Sequence, residues 1–235
     1  MDPIEVFLFI LFIAGALFAV LVSLSLKATF AKYSKVQSQC GLTAQDVAER
    51  ILRHAGINYV SLEPVSGNLT DHFDPSNNVL RLSDTVRNSN SIAAIGVAAH
   101  ECGHAIQHHT DFNPIKVRNS ILPFAQIGSK LAYPLIIIGG FLYVGGTPIL
   151  LLIGIIMFFF SVLFQVVTLP VEFDASRRAL KILEDENILI PSENKKAAKV
   201  LKAAAMTYVA ATANAIIQLI RLIYRYKMLT DGRRR

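Results

Sequence analysis

Residues 131–171 run for 41 positions without one aspartate, glutamate, lysine or arginine. At 1.5 Å per helical residue that is about 60 Å, roughly two bilayer cores. So long an uncharged run excludes a purely soluble protein. Gly145, Gly146, Thr147 and Pro148 interrupt it and Lys130 and Arg177 flank it, which predicts a helical hairpin with a short external turn and both ends cytoplasmic.

A second run, residues 4–26, carries Glu5 as its only charge and is long enough to span. It lacks the basic n-region of a cleaved signal peptide and reads as a retained anchor. Asp2 and Glu5 precede its apolar part, whereas Lys27, Lys32 and Lys35 follow it. The first loop is therefore expected in the cytoplasm and the N terminus outside. A third run, residues 203–220, is uncharged but contains Thr207, Thr212, Asn214 and Gln218. If it spans, the tail with Arg221, Arg225, Lys227 and Arg233 to Arg235 lies outside, against the positive-inside rule. If it packs on the cytoplasmic part, the tail stays inside. Three or four transmembrane helices follow.

The remaining composition fits this reading. Of 235 residues 53% are hydrophobic and 17% charged, whereas globular domains average about 25% charged. The net charge of +6 forms no patch with interleaved aromatics, there is no tryptophan, and the basic residues fall beside apolar segments, so a nucleic-acid partner is not expected. Cys40 and Cys102 are too few for a disulfide framework and lack zinc-ribbon spacing, so both read as reduced thiols.

Between the first two apolar segments lie the signals of a small folded part. Thr43 and Asp46 have capping-box spacing, and Val47, Ile51 and Leu52 mark a helix that stops at Gly56. Residues 58–65 and 68–73 read as extended. The turn cluster from Asp74 to Asn78 precedes an alternating strand, Val79–Ser83. Ser91 caps a further helix that runs to about His109, ahead of Asn113 and Pro114.

That helix contains His100-Glu101-Cys102-Gly103-His104, an HExxH motif. Residues four apart share a helix face, so His100 and His104 can offer ring nitrogens to one metal ion while Glu101 reaches a water. Two imidazoles suit zinc, and the chemistry implied is peptide hydrolysis with Glu101 as general base. A third ligand is expected to be a carboxylate on a later helix. Glu172 and Asp174 are the candidates; Pro170 can begin that helix, which places Glu172 and Ser176 on one face. The two acids point about 200° apart, so only one of them can face the metal.

HECGHAIQ from His100, preceded by Asp-His-Phe-Asp-Pro and Val-Leu-Arg-Leu-Ser and followed by Glu-Phe-Asp-Ala-Ser-Arg-Arg, resembles the bacterial membrane zinc metallopeptidases of the YugP-like family over essentially the whole chain. More distantly it is similar to the HtpX-type and CAAX-processing membrane proteases. The resemblance implies one zinc per chain with His100, His104 and Glu172 as ligands and Glu101 as base. Where the related helices carry an acid four residues after the ligand, this chain has Ser176, so Asp174 or Asp111 would have to orient a ligand histidine. A zincin-like part with a short mixed sheet beside the active-site helix is also implied, with Val79–Ser83 as the edge on which an extended substrate pairs.

His72, Tyr208 and Arg177 are the polar candidates for oxyanion stabilisation. His108 and His109 lie farther along the helix, and Cys102 faces away from the ligand row. The expected fold class is an α-rich, α+β membrane protein. Its parts are an anchor at 1–27, a cytoplasmic zincin-like part at 28–120, a transmembrane hairpin at 121–169, and a third-ligand helix with a C-terminal helix at 170–235. The expected function is a multi-pass cell-membrane zinc endopeptidase with a cytoplasmic active site, the bilayer and polypeptides, membrane or unfolded proteins among them, being its partners. The rival is a membrane scaffold or chaperone-like binding protein with a structural zinc, which would have no use for Glu101.

Overall fold

Local sequence signals account for the starts of two of the helices. In this computed structural model, which describes residues 2–142 and 148–231, helix α2 (Ala44–His54) begins at Thr43, whose side chain accepts from the Asp46 N–H while the Asp46 carboxylate accepts from the Thr43 N–H. Its Ala44, Val47, Ala48, Ile51 and Leu52 face inward and are buried. Ser91 caps α4 (Ile92–His109) by accepting from the Ala94 N–H. The strands β1 (Ser61–Val65), β2 (His72–Asp74) and β3 (Val79–Ser83) follow α2. A short α3 (Asp84–Arg87) leads towards α4.

Among the described residues, four helices are long and apolar enough to cross a membrane: α1 (Pro3–Tyr33), α5 (Asn113–Leu142), α6 (Ile149–Asp185) and α7 (Pro191–Asp231). The apolar run 203–220 is thus part of a 41-residue helix. Gly145, Gly146 and Thr147 of the expected external turn, and Arg233 to Arg235 of the tail, lie outside the described residues. Pro170 does not begin a helix, as the sequence leads one to expect, but sits inside α6. Proline there has no N–H to give to the carbonyl of Val166, a cost borne by the packing on either side of it.

The chain forms two compact units. One comprises residues 1–22, 116–169 and 207–235; the other comprises residues 23–115 and 170–206. The first has an apolar cluster of Ala132, Leu151, Ile155, Phe158, Val162, Leu219 and Leu222. The second packs α2, α4, the sheet and the ends of α6 and α7 around Ile51, Leu80, Leu82, Ile95 and Leu183.

The sheet order is β1-β3-β2, with β1 parallel and β2 antiparallel to β3. The mixed sheet is as expected, but Val79–Ser83 is its central strand and not its edge. Val79, Leu80, Leu82 and Ser83 are all buried, as suits a strand covered on both flanks. The edges are β1 and β2. Asp71 ties the approach to β2 onto the end of β3 by accepting from the Ser83 N–H at 2.7 Å and the Ser83 hydroxyl at 2.9 Å. Asp74 ends β2 by accepting from the Asn77 amide and from Arg81, and these two partners hold its carboxyl at about 2.

In the second unit the α6 backbone lies close against α4 at Gly103. A Cβ there would lie 2.5 Å from the Ala175 carbonyl oxygen and 3.1 Å from its Cα. Gly103→Ala is expected to destabilise the protein by about 1–3 kcal/mol, the usual cost of overpacking. Gly140→Ala, where a Cβ meets nothing within 4 Å, is the control for thermal unfolding in detergent; an unchanged midpoint for Gly103→Ala would refute the close contact.

Candidate metal centre

Helical spacing sets His100 and His104 on one face of α4, their rings edge to face with centroids 4.7 Å apart. The Gly103 contact brings α6 against that face. There Glu172 meets both histidines: its Oε2 lies 3.4 Å from His100 Nε2 and 3.7 Å from His104 Nε2. One ligand atom from each of the three residues falls within 4.8 Å of the others, a group able to hold a metal ion.

Glu172 is 5% exposed, and its Oε2 is buried without a hydrogen-bond partner among the described residues. A buried, unsatisfied carboxylate oxygen costs free energy unless a cation offsets it. Burial opposes the charged form of His104. The nearby carboxylates of Glu172 and Glu101 outweigh that effect and hold His104 above its ordinary range. The pocket therefore favours positive charge between its carboxylates. Two imidazoles and one carboxylate form a donor set suited to zinc, so the residues fit the ion.

The far nitrogens of both rings are also engaged. His100 Nδ1 lies 3.1 Å from the Ser176 hydroxyl, one helical turn beyond Glu172. His104 Nδ1 lies 3.1 Å from Gln107 Oε1. Gln107 is fully buried, and its amide donates to the Val171 carbonyl at 2.8 Å and to Asp174 Oδ2 at 2.9 Å. These donations leave Gln107 Oε1 as an acceptor, which puts the proton of neutral His104 on Nδ1 and leaves Nε2 free as a lone pair. Asp174 does not orient a histidine directly. It acts through Gln107, and Arg177 and Arg178 balance its charge. Gln107 had a sequence signal, a polar residue one turn after the second histidine, but nothing local indicated what it would meet.

Glu101 is 9% exposed, and its Oε2 accepts from the Phe73 N–H of β2 at 3.1 Å. The motif carboxylate is thereby held at the sheet edge. The Phe73 ring stands edge-on to His108, with centroids 6.0 Å apart. His109 pairs with the Tyr59 hydroxyl. His72 faces the Thr70 carbonyl and Arg81, Arg177 is committed to Asp174, and Tyr208 belongs to the other unit. Asp111 lies in the turn after α4 with φ 54°. Cys102 is fully buried, and burial pushes its thiol far up, which makes it an inert core residue. Cys40 shares a hydrogen bond with Ser38, away from this group.

A family described as "Putative neutral zinc metallopeptidase" matches residues 8–227. The "Putative membrane protease YugP" of Bacillus subtilis (strain 168) is 45% identical over 197 residues, which cover 84% of this chain and 86% of that protein. No solved structure matches. A family match spanning nearly the whole chain, around a motif whose residues converge as zinc chemistry requires, shows that the chain belongs to this family of neutral zinc metallopeptidases.

Proposed function

We propose that the protein is an integral-membrane zinc endopeptidase, with one zinc per chain held by His100, His104 and Glu172 and with Glu101 as general base. The observation that carries this reading is the buried Glu172 oxygen, without a hydrogen bond among the described residues, set 3.4 and 3.7 Å from the two histidine Nε2 atoms of the motif that also contains Glu101. Zinc bound to three protein ligands supplies Lewis acidity and lowers the pKa of a water from 15.7 to about 7.

The chain's own groups do the rest. Glu101 takes a proton from the attacking water and delivers it to the leaving amine. The Phe73 N–H keeps that carboxylate turned towards the edge of β2. Ser176 and Gln107 hold the histidine rings by Nδ1. An extended polypeptide adds to β2 as a further strand, which draws its scissile carbonyl past Glu101. A scaffold with a structural zinc would need neither a base nor a strand edge beside it.

The active site is assigned to the cytoplasm on the positions of Lys27, Lys32 and Lys35 after the first apolar run. A cysteine placed at Ser66 should then react with a membrane-impermeant maleimide only after cells are opened. With four spans, a tag on the C terminus should be reached from outside intact cells. Labelling of the Ser66 cysteine in intact cells would reverse the assignment.

Glu101→Gln should retain zinc and lose about 10²- to 10⁴-fold in turnover of an unfolded test protein, since only proton transfer is removed. Full activity in that zinc-loaded variant would end the mechanism. Glu172→Ala should empty the site, whereas Asp174→Ala and Gln107→Leu should each weaken zinc by about 10- to 100-fold, as loss of an outer support does. Chelator competition measures all three; zinc retained by Glu172→Ala and lost from Asp174→Ala would exchange their roles.

A further inference from the structure

Two of the polar residues that make 203–220 unusual for a span, Asn214 and Gln218, face a shared space. In the unit formed by residues 1–22, 116–169 and 207–235, a cleft of about 450 Å³ is lined from all four apolar helices. Its polar lining is Ser129 and Tyr133 of α5, Ser161 and Gln165 of α6, and Asn214 and Gln218 of α7. Within each helix these positions are four residues apart, so each helix presents a polar stripe to the same cleft. All four helices contain a stretch apolar enough to cross a membrane, those of α1 and α6 the most so. Polar side chains at such depth are costly and mark functional surfaces when they gather on a cavity.

Asn214 also sits where α7 meets α1: its amide oxygen is buried against Gly15, where a Cβ would lie 2.6 Å from it. The volume lies within the range of about 300–1,000 Å³ typical of ligand sites.

The lining also selects the ligand. Among the described residues no aspartate, glutamate, lysine or arginine faces the cleft, which disfavours an ion or an anionic headgroup. Its amides and hydroxyls disfavour a bare acyl chain. Those groups both donate and accept, as a neutral amide or hydroxyl partner does. Ala19, Ala132, Ala211 and Ala215 in the wall allow a helix backbone to come close.

We propose that this cleft binds a transmembrane helix of a substrate protein through a neutral polar side chain, such as asparagine or glutamine, near the middle of that helix. Calling the partner a substrate rests on the peptidase reading; the binding itself does not. The cleft gives the membrane unit a recognition role separate from peptide-bond cleavage, and it favours membrane proteins whose spans carry a polar residue.

The test uses full-length protein in phosphatidylcholine vesicles, with Glu101→Gln to prevent cleavage and Phe12 replaced by the photoreactive p-benzoylphenylalanine. The probes are two lysine-flanked leucine-alanine peptides of one span each, one with a central asparagine and one with leucine there. The asparagine peptide should crosslink about three- to twentyfold more, the range that interhelical hydrogen bonds supply in membranes. Gln165→Leu should remove most of that preference, and Asn214→Leu serves as the second variant should one of them fail to fold. Equal crosslinking of the two peptides would overturn the proposal. So would crosslinks confined to lipid or to a second copy of this chain and not displaced by the asparagine peptide. If the peptidase reading alone is wrong, the asparagine preference persists while the wild type cleaves no unfolded protein.

Discussion

Gly103 stands between Glu101 and the second motif histidine at the point where the α6 backbone comes so close that a Cβ would lie 2.5 Å from the Ala175 carbonyl. The side-chain geometry of the site depends on that approach. With α6 one methyl group farther away, Glu172 would draw back from the two Nε2 atoms it now meets at 3.4 and 3.7 Å, and Ser176 from His100. The third residue after the first histidine is free in the motif, but in this chain it has a packing reason to be glycine. Ala99, Cys102 and Ala105 on the neighbouring faces of α4 are buried small residues that help seat the helix in the core.

The outer support of the site is built mainly from neutral groups. One helical turn beyond Glu172, Ser176 reaches His100, and His104 rests on Gln107. As an acceptor, Gln107 Oε1 sets the His104 proton on Nδ1, and neither neutral partner adds another negative charge to a pocket that already holds two carboxylates. The charge that is present, Asp174, is kept one residue back and is offset by Arg177 and Arg178. Gln107 is satisfied on both ends of its amide, which a fully buried polar side chain requires.

A different balance governs the membrane unit. Apolar side chains gain little by leaving lipid for one another, so close backbone contact and polar side chains decide the packing. Gly128 lies against the Met157 carbonyl, Gly139 against the Leu151 backbone, and Gly15 against the Asn214 amide. Near the helix ends, Tyr224 donates to Asp2, and Arg221 lies over the rings of Phe9 and Phe12. These contacts give residues 203–220 their place among the apolar helices despite their polar content.

Features set by neighbours along the chain are legible in the amino-acid sequence itself. The Thr43 and Ser91 caps, the burial stripe of α2, the existence of the apolar helices and the shared face of His100 and His104 all follow from helical spacing, which acts over three or four residues. Which acid meets the two histidines is half legible: the angular separation of Glu172 and Asp174 lets only one of them do so, and the packing of α6 on α4 decides that it is Glu172. The placement of β3 at the centre of the sheet depends on parallel pairing with β1 across the intervening β2. No strand records in its own sequence which of its flanks will be filled. The Gln107 contact with Asp174 and the Ser176 contact with His100 join residues 67 and 76 positions apart. Such contacts belong to tertiary structure alone, because a side chain's hydrogen-bonding capacity is local but the identity of its partner is set by how two distant helices pack.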